Sequence, residues 1–155
     1  MDTDLVVRPA TPADTEAWCR LRTALWPECP DDHPEDIAKY LVSTTERSVC
    51  FIATVGDGSV VGFAEVGLRD YAEDCDTSPV GFLEGIFVDP DVRTSGVGRA
   101  LVQAGEEWVR AQGCTEMASD RVLDNEPSGA FHEAIGFAET VRLVAYRKDL
   151  TEGGA

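Results

Sequence analysis

Positive charge is scarce in this sequence. Lys and Arg together number 13 against 29 Asp and Glu, a formal net charge of −16 over 155 residues. Nucleic acid and anionic membranes are poor partners for such a surface, since both are bound through clustered basic side chains. A cationic ligand would be drawn in, although the same charge also serves plain solubility. Histidine numbers only 2, too few for a His-rich metal centre. The five cysteines are an odd count with no Cys-x-x-Cys pair, against a disulfide framework or zinc ribbon and for reduced thiols. No apolar run approaches a membrane span, and the N-terminus lacks a basic-then-apolar leader pattern. A soluble cytoplasmic protein is the expectation. Repeats and interdomain linkers are missing too, so we expect one domain over residues 1–150 and a disordered tail at 151–155.

What is present centres on residues 82–101. Phe82-Leu83-Glu84-Gly85-Ile86-Phe87-Val88 is an apolar, β-branched and aromatic run that reads as a buried strand, ended by Asp89-Pro90. Arg93-Thr94-Ser95-Gly96-Val97-Gly98 then opens a helix whose apolar face is Val97, Leu101, Ala104 and Trp108. Free amide N–H groups converge at such a helix start, and the helix dipole adds positive potential. Two glycines let a ligand approach the backbone. A phosphate or pyrophosphate suits this place. The spacing is neither the three-glycine dinucleotide fingerprint nor a P-loop.

The flanking segments follow from the same rules. Residues 5–9 read as an opening strand. Thr11-Pro12 starts a helix, with Thr11 at the N-cap, Trp18, Leu21 and Leu25 on its apolar stripe, and Pro27 as its stop. A second helix spans about 34–44. Strands at 49–55 and 60–69 flank a Gly56-Asp57-Gly58-Ser59 hairpin turn. After the central helix come a fifth strand at 114–119, a polar loop, a short helix ended by Gly136, and a last strand at 141–147.

The Arg-x-x-Gly-x-Gly turn after a strand ending in Val88-Asp89-Pro90, with Asn125 and Gly136-Phe137 downstream, resembles the acetyl-coenzyme A motif of the GCN5-related N-acetyltransferases (GNAT). The element order resembles that family along nearly the whole chain. The resemblance implies an α/β fold with a mixed central sheet of six to seven strands flanked by about four helices. It implies that amides of Thr94, Ser95, Gly96, Val97, Gly98 and Arg99 hold the pyrophosphate. It further implies that main-chain groups of Ile86, Phe87 and Val88 pair with the pantetheine arm, and that Asn125 reaches that arm from the other side. Acetyl transfer to an amine needs a deprotonating group, a donor to the oxyanion and an acid for the leaving thiolate. The resemblance puts the Val88 N–H at the oxyanion. His132 stands where many members carry the thiolate-protonating Tyr. Glu84, a charge inside an apolar run, and Asp120, at the end of the fifth strand, are the candidate carboxylates.

A narrower resemblance suggests the substrate. Leu25-Trp26-Pro27, Tyr71 followed by Cys75-Asp76, Phe82 through Val88, Glu116 through Asp120, and Tyr146-Arg147-Lys148 are similar, in order, to bacterial aminoglycoside 6′-N-acetyltransferases. It implies that Trp26, Tyr71, Glu84 and Asp120 line the antibiotic site, direct transfer in a ternary complex without metal, and a homodimer. Aromatic faces with carboxylates suit a polycationic sugar. Cys29 and Val141 depart from the His and the acidic residue that some relatives carry there. A polyamine or protein N-terminus as acceptor, and a non-catalytic acyl-coenzyme A module, are the competing readings.

Overall fold

The computed structural model describes residues 4–28, 31–42, 47–93 and 95–151. Thr94, Cys29 and the tail from 152 onward, named above, lie outside the described residues. The elements run β1 (Val6–Pro9), α1 (Thr15–Leu25), α2 (His33–Val42), β2 (Ser48–Val55), β3 (Ser59–Arg69), β4 (Val80–Val88), α3 (Val97–Ala111), β5 (Met117–Ser119) and α4 (Glu126–Ala134), with 3-10 turns at Pro12–Asp14 and Pro90–Val92. The sheet order is β1-β2-β3-β4-β5. The first four strands pair antiparallel, and β5 joins β4 in parallel.

The helices divide between the two faces. Period-two alternation along β2 sends Phe51 and Ala53 to one side, with Val97, Leu101, Val102 and Val109 of α3. It sends Cys50 and Ile52 to the other, with Trp18 and Leu21 of α1 and Ile37 of α2. Along α3, Val97 and Leu101 are buried as expected, while Ala104 and Trp108 pack at the margin of that core. Thr11 does not cap with its own side chain. Instead its N–H and hydroxyl donate to Asp14 Oδ2 at 2.7 and 3.2 Å, and Arg8 closes a fork on the same carboxylate at 2.7 and 2.9 Å. The Arg8 hydrogen bond, foremost, holds Asp14 below the usual carboxylate range.

Two departures from the sequence reading matter. The described residues hold five strands rather than six to seven: the apolar alternation at 141–147 does not form a strand, and Val141, Leu143, Val144 and Tyr146 are exposed. A strand needs a neighbour to satisfy its ladder, and the sheet of one chain ends at β5. The second departure lies in β4. Glu65 pairs with Gly85 and Val66 with Leu83, so Glu84 has no opposite number on β3. It is the extra residue of a β-bulge, which bends a strand and re-aims its side chains. As a result Glu84 and Gly85, though consecutive, both face the α1 side: Glu84 lies beside Gly67 and Gly85 beneath Trp26.

Candidate active site

The bulge sits where the sheet opens. β5 pairs with β4 only at Gly81, Phe82 and Leu83. Beyond that point β4 is laddered to β3 alone, through Gly85 to Val88. Asp89 N–H donates to Val61 O on β3 at 2.8 Å. Alternation then turns the polar groups of Phe87 to β3 as well, and the Phe87 carbonyl lies 3.0 Å from the Cβ position at Gly62. The same alternation turns Ile86 and Val88 to the open edge, where Val88 O accepts from Arg93 Nε at 2.8 Å. Of the three strand residues expected to pair with an extended ligand, Ile86 and Val88 therefore offer main-chain groups and Phe87 does not. The fit is good for an amide-bearing chain laid along the edge, since two of its amides find partners that are otherwise unladdered.

The edge runs toward the start of α3. Ala100 N–H makes the first intrahelical bond, to Gly96 O at 3.0 Å, so the N–H groups of Val97, Gly98 and Arg99 have no carbonyl within the helix. Gly96 takes φ +87°, a left-handed conformation that favours glycine, with open space around it. Gly98 is constrained differently: a Cβ there would fall 2.8 Å from Phe131 Cε1, so its lack of a side chain lets α4 close on α3. The hydroxyl of Ser95 donates to Val92 O, and Arg99 Nη2 donates to Ala134 O at 2.9 Å. Asn125 caps α4, its Oδ1 accepting from Ser128 N–H at 3.3 Å.

At the bulge Glu84 meets a residue that the sequence reading passed over. Arg69, at the end of β3, forks onto it, Nε to Oε2 at 3.0 Å and Nη2 to Oε1 at 2.5 Å. The guanidinium also lies 3.5 Å from the centre of the Phe82 ring. The Glu84 hydrogen bond raises Arg69 above its ordinary range, and the charge of Asp120 adds to this. Asp120 follows Ser119, the last residue of β5, which pairs with Leu83, so Asp120 leaves β5 at the point where Glu84 bulges out of β4. Trp26 flanks Glu84, on the same cavity: a Cβ at Gly85 would fall 2.4 Å from its Cη2. Tyr71 lies beyond Arg69, exposed, its hydroxyl donating to Glu73 at 3.1 Å. Glu84 and Trp26 thus border one cavity, Asp120 shares the Arg69 charge with Glu84, and Tyr71 stands on the adjoining loop.

His132 is half-buried where β4 and β5 part. Its Nδ1 lies 2.7 Å from Ser128 O, and its Nε2 lies 2.8 Å from Ser119 Oγ, which donates to Leu83 O at 3.2 Å. A ring carrying both protons has an acceptor for each, and the serine passes its own proton to Leu83. The arrangement suits an acid held at the fork of the sheet. Ser119 carried no sequence signal of its own, since a serine closing a short strand is unexceptional.

A second charged cluster underlies the Trp26 wall. Glu65 on β3 is buried, and its Oε2 accepts from Trp18 Nε1 at 2.9 Å and Arg22 Nη1 at 3.1 Å. Arg22 Nη2 reaches Asp36 Oδ2 at 3.1 Å. Arg22, Asp36 and Glu65, with Trp26, Tyr40 and Glu84, border a cavity of about 450 Å³. The signal that singled out Glu84, a charge inside an apolar strand, applies equally to Glu65.

The comparisons agree with this geometry. Residues 15–137 match the Acetyltransferase (GNAT) family. The aminoglycoside N(6′)-acetyltransferase type 1 of Klebsiella aerogenes is 43% identical over 153 residues, covering 97% of this chain and all of that one. A solved structure of the aminoglycoside N-acetyltransferase AAC(6′)-Iy with CoA superposes at a TM-score of 0.89, with 40% identity over 96% of this chain and 97% of that one. Another, of AAC(6′)-Iy with a bisubstrate analogue, CoA-S-monomethyl-acetylneamine, gives a TM-score of 0.87 and 42% identity over 94% and 98% of the two chains. With the splayed sheet, the glycine turn and these likenesses in register along the chain, the protein belongs to the GNAT family of acetyltransferases.

Proposed function

We propose that the protein is an aminoglycoside 6′-N-acetyltransferase, one domain over residues 1–150, acting in the cytoplasm by direct transfer in a ternary complex. The observation that carries the acceptor class is a pair of carboxylates that both act on Arg69 where the sheet splays, Glu84 with Trp26 on the same cavity and Asp120 just past the end of β5. A sugar bearing several ammonium groups finds there both anionic acceptors and an aromatic face. The relatives named for this activity support the reading.

Acetyl-coenzyme A supplies an activated acetyl thioester. Ile86 and Val88 bind its pantetheine amides at the open edge of β4, and the N–H groups opening α3, with Thr94 and Ser95 before them, receive the pyrophosphate. Asn125 reaches the same arm from the other side. The Val88 N–H donates to the oxyanion as it develops. Glu84 and Asp120 receive the acceptor amine and its proton, Tyr71 closes over the sugar, and His132 protonates the leaving thiolate.

The test is acetylation of kanamycin or tobramycin by purified enzyme, with the modified nitrogen located by NMR. Modification at the 6′ amine is expected. Asp120→Asn keeps the shape but removes the charge, and kcat/KM for the drug is expected to fall about 10- to 100-fold with cofactor affinity unchanged, the worth of one charged hydrogen bond. Acetylation of spermidine or a peptide, with every aminoglycoside left intact, would replace this reading with a competing one.

We also infer a homodimer in which the C-terminal arm of each copy serves the other. The arm's apolar side chains, Leu143, Val144, Tyr146 and Leu150, are 60–93% exposed. The outer edge of β5 borders a cavity of about 500 Å³ lined by apolar Met117, Ile135 and Phe137 and by charged Glu106, Arg110 and Glu116. An unpaired edge beside a partly apolar groove matches an arm whose apolar side chains are exposed. Sedimentation equilibrium is expected to return the dimer mass at micromolar concentration, and a strict monomer would refute the exchange.

A further inference from the structure

The buried ion pair beneath Trp26 calls for an explanation beyond stability. Glu65 is 2% exposed and the Arg22 side chain 8%. Such a pair contributes little net stability over apolar residues of the same size, because desolvation offsets most of the attraction. It does fix geometry. Arg22 is held from two sides, by Glu65 and by Asp36, each at 3.1 Å, while its Nε has no partner. The guanidinium so held lies 4.9 Å from the centre of the Trp26 ring. Trp26 in turn leaves no room for a side chain at Gly85, the residue after Glu84.

We propose that Glu65 is a positioning residue for the acceptor pocket: through the Arg22 guanidinium it holds the Trp26 indole against the β4 backbone beside Glu84. The inference rests on the reading of Trp26 as a wall of that pocket. Burial pushes the Glu65 carboxyl up to about 7, against the pull of Arg22 and Trp18. The groups facing it are Trp18 and Arg22 of α1, Asp36 and Tyr40 of α2, Cys50 of β2 and Glu84 of β4. Burial raises Tyr40 and Cys50 and keeps them neutral. Asp36 and Glu84 repel Glu65 and favour its protonated form. Above neutrality Glu65 is a carboxylate and draws Arg22 inward under the indole. Below neutrality it is neutral, and Arg22 keeps only the half-exposed Asp36 at the rim. The acceptor wall therefore loosens as pH falls.

The experiment compares the native enzyme with Glu65→Gln, whose amide is uncharged at every pH. Acceptor KM is measured at pH 6 and pH 8 with kanamycin, alongside the KM for acetyl-coenzyme A. The pH 6 to pH 8 ratio of acceptor KM is expected to be about fivefold or more larger in the native enzyme than in the variant, while the cofactor KM ratio is the same in both. Glu65→Gln at pH 8 should resemble the native enzyme at pH 6. The Trp18 indole is bonded to Glu65, so near-UV circular dichroism of the free native protein is expected to titrate near neutrality, and that of the variant not to. This second readout needs no substrate. If no aminoglycoside is acetylated, the acceptor reading fails while the titration still decides the network. If Glu65→Gln does not fold, Arg22→Lys keeps the charge without the fork, and is expected to raise the acceptor KM at pH 8 toward its pH 6 value. Equal acceptor KM ratios in native and Gln enzymes, or a native tryptophan signal flat through neutrality, overturn the proposal.

Discussion

Replacing His132 with alanine is expected to lower kcat by about 10²- to 10⁴-fold, the usual worth of a general acid, with little change in either KM. Protonating the coenzyme A thiolate as it departs neutralises the charge that develops on sulfur in the transition state. The imidazole lies at the fork between β4 and β5, its Nδ1 turned to Ser128 O and its Nε2 to Ser119 Oγ. Those contacts fix the ring plane, so the proton is delivered from one direction. Ser119→Ala separates two routes. A loss matching that of His132→Ala places the serine hydroxyl in the proton path, whereas a small loss leaves it orienting the ring. The measurement must be made where chemistry limits turnover, by pre-steady-state release of free thiol. An undiminished rate there removes His132 from the reaction.

Glu84→Gln is expected to lower kcat/KM for an aminoglycoside by about 10²-fold while coenzyme A affinity holds. Removing one member of a fully buried charge pair costs about 2–5 kcal/mol, and less where water reaches the pair. Glu84 is 29% exposed and Arg69 44%, so solvent screening places the effect at the lower end of that range. Two losses combine. The acceptor amine loses its anionic partner, and Arg69, still flat on Phe82, is left as a lone cation facing a cationic substrate. Arg69→Met in the Glu84→Gln background relieves the second loss only, and partial recovery of acceptor KM is expected. Titration calorimetry with coenzyme A provides the control. If cofactor affinity falls as much as acceptor turnover, Glu84 holds the strand rather than the substrate.

Much of the cofactor side was legible in the sequence because its causes are local. A β-branched run stopped by Asp89-Pro90, a glycine at 96 and an amphipathic repeat from Val97 together specify strand, turn and helix within twenty residues. Left-handed φ at Gly96 is a property of that residue and its neighbours. The proposed acceptor side was legible as residue types, in Trp26, Glu84 and Asp120, but not as an arrangement.

What the tertiary structure decided depends on partners distant in the chain. The bulge at Glu84 is a matter of register between β3 and β4, and no pattern within β4 records which residue goes unpaired. It turns Glu84 and Gly85 to one face, aims Ile86 and Val88 at the open edge, and gives Phe87 to β3. The fork of Arg69 on Glu84 joins β3 to β4, and the hold of Glu65 on Arg22 joins β3 to α1, so each depends on elements distant in the chain. Gly98, which reads as clearance for a ligand, proves to be clearance for Phe131, 33 residues on. The alternation at 141–147 shows the limit in the other direction. Its pattern is that of a strand, but a strand exists only where another backbone completes its ladder, and that condition is met between segments or between chains, not within a sequence.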